Sequence, residues 1–317
     1  MTCVLNLPIT HAEEAEITKD MVIAETLTLS KEVKEFEQKL GITPQKTLSE
    51  YATPEEARSV MWIWVQKKGV IAPIFPFAAY MDIQGSTEKS KVASPMLFWS
   101  ALGSKNGDYV FMIRQSDVFA DDASKITKQF LERSLNNKVE SIFHEDIHYH
   151  FRGYPWYIDE SVTTALGYLA TAEFFEKNFD DKRYVQSTWE TINKRHIFAR
   201  QLNQVAKTAN TLFKNLPYAE ARQRIIDIIM VEYPLIRDYF PADDFSTLEV
   251  ELSHDLAYFQ YFDDIMSLYE LVGDFKTLFQ LLIQELKSTV YDAPSSEAVY
   301  QAFSNIRAQH ILRELAQ

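Results

Sequence analysis

Three of the chain's seven histidines, His144, His148 and His150, fall within seven residues, and the first two flank a glutamate in the order His144-Glu145-Asp146-Ile147-His148. Residues four apart on a helix share a face, one turn above each other. Two imidazoles so placed can hold one metal ion from the same side, with Glu145 beside them toward water. Catalytic zinc takes three protein ligands and leaves a fourth position open. His144 and His148 supply two. Glu160, carried by the segment after a chain reversal at Gly153–Pro155, is expected as the third. Glu145 is then the general base, taking a proton from water and handing it to a leaving amine.

The rival reading is an ordinary helix whose histidines fall four apart by chance. A buried face of Val139, Ile142, Phe143 and Ile147 weighs against it, as does the turn into a glutamate-bearing segment. Asp146 is a charge where such motifs usually carry an apolar residue, and it is expected to face solvent or to hydrogen-bond a group behind the ligands. His150, six residues after His144, lies off the shared face and reads as a rim group or one standing behind the ligands. Asp159 competes with Glu160 as a ligand and is equally suited to cap a helix or to accept from a ligand histidine. His196 and His254, as lone histidines, read as structural.

The elements that must position these groups are mostly helical. The motif helix is expected over 138–152, ended by Arg152 and Gly153, with its partner over 159–177. Later helices are expected over 185–215, 218–238, 251–271, 274–289 and 296–315. Upstream, Lys31–Leu40 reads as a helix stopped by Gly41 and Pro44. A second helix is expected from Thr53-Pro54-Glu55-Glu56 through Val65, and a third from Asp121-Asp122 to about Asn136. Strand-type runs occupy 70–77, 96–99 and 109–113, with Asn106-Gly107 as a hairpin turn. The expected class is α+β and predominantly α-helical: a small β-sheet, a two-helix zinc core and a C-terminal helical portion. The expected division is an N-terminal extension at 1–30, a catalytic core at 31–180 and a helical portion at 181–317. One continuous domain is the alternative.

A formal net charge of −13, with no cluster of Lys and Arg to offset it, argues against nucleic acid as a partner. No run approaches the eighteen or so apolar residues that span a membrane, so no transmembrane segment is expected. The single cysteine, Cys3, forms no intramolecular disulfide and fits a reducing compartment. Met1–Ile9 lacks the basic start of an export signal. The cytoplasm is thus favoured for the chain as given, and the periplasm or a lipoprotein if an export signal was trimmed. Oligomeric state is not legible.

Two stretches carry a family likeness. Ile142-Phe143-His144-Glu145-Asp146-Ile147-His148 followed by Ile158-Asp159-Glu160-Ser161-Val162-Thr163-Thr164 resembles the bacterial predicted aminopeptidases of the gluzincin clan, with their IFHELAHQ and FNESFAT stretches. Arg200–Arg222 is similar to that family's helical hairpin, and Leu256, Tyr261-Phe262-Asp263 and Gly273-Asp274-Phe275 to its C-terminal segment. The likeness covers 140–280, and more weakly 30–65. It implies Zn2+ held by His144, His148 and Glu160, Glu145 as base, and a peptide or protein substrate. It also implies an oxyanion donor from the C-terminal helices, for which Tyr261 and His254 are the candidates, although Tyr261 reads equally well as a core aromatic. Asp159, Asp255 and Asp263 are candidates to receive a substrate amine. Asp146, Asp159 (for an asparagine) and Leu252-Ser253-His254 (for paired asparagines) depart from the family pattern. A catalytically inactive helical interaction protein with a structural or vestigial zinc site is the alternative function.

Overall fold

A computed structural model describes residues 19–52, 58–73, 77–81, 109–119, 125–290 and 294–315, and it is predominantly α-helical. In chain order the elements are α1 (Lys19–Leu40), β1 (Arg58–Gln66), β2 (Phe77–Met81), β3 (Tyr109–Phe119), α2 (Lys128–Leu131), α3 (Leu135–Phe151), α4 (Trp156–Asn178) and α5 (Lys182–Asn215). There follow α6 (Tyr218–Glu232), α7 (Pro234–Arg237), α8 (Leu248–Phe259), α9 (Phe262–Val272), α10 (Phe275–Thr289) and α11 (Ser296–Leu315).

The helix α3 carries the histidine pair. Its first turn is capped by Ser134, whose hydroxyl accepts from the Asn137 amide. It ends at Arg152, and Gly153 follows at φ +98°, a left-handed conformation that glycine adopts without strain. The chain then turns through Tyr154 and Pro155, whose fixed φ starts α4 at once. Val139, Ile142, Phe143, Ile147 and Phe151 form the fully buried face of α3. Each contributes roughly 1.5–3 kcal/mol from burial. Phe143 packs edge-on against Phe36 of α1 and Phe174 of α4, at centroid separations of 6.5 and 6.2 Å.

The central element is α4, which packs against α3, α5, α8 and α9. Its small residues Ala165, Gly167, Ala170 and Ala172 let neighbouring helices approach closely. A Cβ on Gly167 would stand 3.5 Å from the His144 Cα. One apolar cluster runs from Val33 to Ile306, so the 31–180 and 181–317 segments share a core. The division expected at residue 30 falls inside α1, which starts at Lys19.

Among the described residues, strands form one antiparallel sheet in the order β2-β1-β3. Trp62 of β1 lies opposite Ala78 on one side and Ile113 on the other. The helix expected through Val65 is therefore corrected: Arg58–Gln66 is the sheet's central strand. Its Val60-Met61-Trp62-Ile63-Trp64-Val65 run is β-branched and aromatic, which suits a pleated surface better than a helix. The cap signal at 53–57 lies outside the described residues, as do the 96–99 run, the Asn106-Gly107 turn and Asp121-Asp122. The single helix expected over 251–271 is two, α8 and α9, broken at Gln260–Tyr261.

Candidate metal centre

His144 and His148 point from one face of α3 toward the first turns of α4, where Glu160 meets them. The His144 and His148 Nε2 atoms are 3.1 Å apart, and Glu160 Oε2 lies 3.4 Å from the first and 3.6 Å from the second. A tetrahedral zinc about 2.0–2.1 Å from each donor would set those donors about 3.3 Å apart. The observed triangle has that size. These three side chains form the one group of its kind among the described residues.

Apart from their contacts with one another, the same three atoms have no hydrogen-bond partner among the described residues. His148 donates through Nδ1 to Asp159 Oδ1 at 2.8 Å, so its Nε2 presents a lone pair. Thr163 steadies that carboxylate by donating to the same oxygen at 3.2 Å. Asp159 thus stands behind the ligands rather than among them. Trp156 hydrogen-bonds the Glu160 carboxylate, and apart from the two imidazoles the buried Glu160 Oε2 has no hydrogen-bond partner. His144 Nδ1 is likewise unpartnered, with Glu140 Oε1 at 3.9 Å, beyond hydrogen-bond range. An orphaned buried carboxylate oxygen facing two imidazole nitrogens fits a divalent cation.

The electrostatics agree in direction. Burial works against charging His144, but the Glu160, Glu140 and Glu145 carboxylates overcome it and push the imidazole up to about 9. Burial would raise Glu160, and the two histidines outweigh it and hold the carboxyl below its ordinary value. Positive charge is favoured at this point.

A cleft of about 340 Å³ opens beside His144 and Glu145, closed on the far side by His254, Asp255 and Tyr258 of α8. Burial first, then the Glu160, Glu145 and Asp255 charges, push the Tyr258 phenol upward, so it keeps its proton and can donate. His254 lies against Tyr258 at a ring separation of 5.2 Å, and its Nδ1 is 3.1 Å from Asp255 Oδ1.

Tyr261 is not in this cleft. Its fully buried ring packs against Tyr300 and Phe303, and its hydroxyl donates to Ser296 at 3.2 Å. Tyr261 thus sits as a core aromatic, and the tyrosine that lines the cleft is Tyr258, four residues after His254. That i, i+4 spacing was the available signal. Asp263 is held elsewhere by His196 and Arg200, whereas Asp255 lines the cleft. His150 accepts from the Thr43 amide at 2.9 Å and packs on Phe279, away from the ligands.

Asp146 is also corrected: it faces neither solvent nor a group behind the histidine pair. It is fully buried on the opposite side of α3, paired with Lys34 of α1 at 2.5 Å. It accepts further from the Gln45 amide at 2.9 Å and from the Thr47 hydroxyl. The charge inside the motif ties α3 to α1 and the loop after it. Glu140, one turn before His144, and Arg195 of α5 also line the cleft and carried no sequence signal. No family model, curated protein or solved structure matches the chain. No helix of the described residues is long and apolar enough to cross a membrane.

Proposed function

We propose that the protein is a zinc-dependent peptidase that hydrolyses a peptide bond with Glu145 as general base. The observation that carries this is the convergence of His144 Nε2, His148 Nε2 and Glu160 Oε2 beside a cleft lined by Glu145. Zinc bound there would polarise a carbonyl and lower the pKa of water to about 7. The chain's own groups supply the rest. Glu145 accepts a proton as water oxygen bonds to the peptide carbonyl carbon, and returns it to the amine nitrogen as the C–N bond breaks. In this reading Tyr258 and His254, which line the cleft, donate to the carbonyl oxygen as it gains charge. Asp159 fixes the ring of His148 through Nδ1. Asp255 offers a carboxylate to a substrate amine.

Aminopeptidase action is favoured over endopeptidase action by the gluzincin likeness at 142–164. In the same reading the β2-β1-β3 sheet is the small sheet that precedes the two-helix site of an α+β enzyme. The test is metal analysis together with turnover of aminoacyl reporters by wild type and Glu145→Gln. The expected outcome is about one zinc per chain in both proteins, with hydrolysis only in wild type. Equal activity in the two would remove Glu145 as base. Zinc without turnover of any substrate would favour a catalytically inactive interaction protein with a structural site.

A further inference from the structure

Beyond the cleft at Glu145 the surface dips into a second cavity of about 380 Å³, and the two share Arg195 and Tyr239 as lining residues. They abut, so one groove leads from the metal ligands along α5 toward α7. The floor of the outer part is apolar. Phe198 and Tyr239 face each other at a ring separation of 5.5 Å, with Leu235 beside them. Its charged wall is basic: Lys194 and Arg195 are consecutive on α5. Arg195 is half-buried, lies over the Phe259 ring at 5.5 Å and is hydrogen-bonded with the Tyr168 hydroxyl. These contacts fix the guanidinium, and its charge also acts on the Glu140 carboxyl of the adjoining cleft, which burial holds above its ordinary value. Asp238, the acid in this cavity, is exposed and already paired with Arg237 at 3.2 Å.

The chain carries 45 acidic residues against 32 Lys and Arg. Even so, among the described residues neither Lys194 nor Arg195 has a carboxylate within 4.0 Å. A stacked, half-buried guanidinium is a strong receptor for a carboxylate, because little rotamer freedom remains to be lost on binding. Arg195 lines the same cleft as His144 and Glu145, so it faces a residue close to the scissile bond.

We propose that this groove selects substrates with a carboxylate near the scissile bond, received by Arg195 and supported by Lys194. The inference rests on the peptidase reading of the metal centre. The carboxylate is either an acidic side chain or a chain terminus. Both present the same oxygens to the guanidinium fork.

The test compares matched tripeptides: Glu against Gln as the side chain, and a free against an amidated C-terminus. Wild type is expected to prefer the acidic member of one pair by about tenfold to hundredfold in kcat/KM, as a charge-assisted hydrogen bond supplies. The pair that shows the preference identifies the source of the carboxylate. In Arg195→Met the ratio should fall toward one, and in Arg195→Lys it should be partly retained. Lys194→Met, at an exposed position, should lower it to a lesser extent. No preference in wild type, or an unchanged ratio in Arg195→Met with wild-type thermal unfolding, overturns the proposal. Calorimetric binding of the same tripeptides to Glu145→Gln reads the preference without turnover. Acid-selective binding lost in Arg195→Met upholds the receptor even if no peptide is cleaved, an outcome that would instead remove the peptidase reading.

Discussion

Two carboxylates lie against opposite sides of α3, and their surroundings differ. Asp146 has an ammonium, a backbone amide and a hydroxyl directed at it, all from residues 34–47. Glu160 Oε2 has two imidazole nitrogens and no donor assigned to it. Glu37, beside Asp146, shows a third solution. It is fully buried, and burial, followed by the charge and hydrogen bonding of Asp146, holds its pKa well above the ordinary carboxylate range, so it stays neutral. A buried charge must be paired, neutralised or matched to an ion. The chain completes the first two around Asp146 and Glu37, and the zinc proposed for Glu160 would be the third.

Removing each carboxylate breaks that contrast in a different way. Asp146→Ala strands the Lys34 ammonium and is expected to lower unfolding stability by about 3–5 kcal/mol, with or without a chelator present. Glu160→Gln should abolish zinc retention yet hardly change denaturant unfolding of the chelator-treated protein. If both variants are equally destabilised without metal, the two sides of α3 do not differ as described. A smaller effect is expected from Asp159→Asn, which keeps the shape but loosens His148: zinc affinity should fall about 10–100-fold, read by chelator competition. A further effect, set by pH, concerns Glu37. Folding holds on it a proton that the unfolded chain releases above about 4.5. The stability it contributes is therefore complete below that pH and is lost as pH rises. Glu37→Gln should match wild type in urea unfolding at pH 4 and exceed it increasingly toward pH 9.

Much of the helical framework was legible because its ends are written locally. Gly153, Gly273 and Pro155 mark stops and starts within a residue or two, and the i, i+4 spacing of His144 and His148 needs no distant information. The β1 segment was misread because an apolar run without period fits a buried helix or a central strand equally well. Its strand partners lie far along the chain. Tyr258 was missed because the break between α8 and α9 decides which aromatic faces the cleft, and Gln260-Tyr261 contains neither glycine nor proline. Asp146 sits two positions from His144, hence on the other side of the helix, and that much was readable. Its partner was not, because nothing near Lys34 names the position it will meet.

The Asp146 pair also bears on the order in which the molecule assembles. Its contacts span 99 to 112 residues of sequence, whereas His148 and Asp159 are 11 apart and meet within one helical hairpin. Closing a long loop demands more chain entropy and comes slowly, while a hairpin of adjacent helices forms early. The ligand set can therefore gather before α1 docks. On a ribosome, α1 emerges first and must wait, with Lys34 and Glu37 still hydrated, until α3 has been made. The histidine pair is exposed to solution before its own back wall is in place, so if the proposed zinc binds there, its capture and closure of the fold are separate events in time.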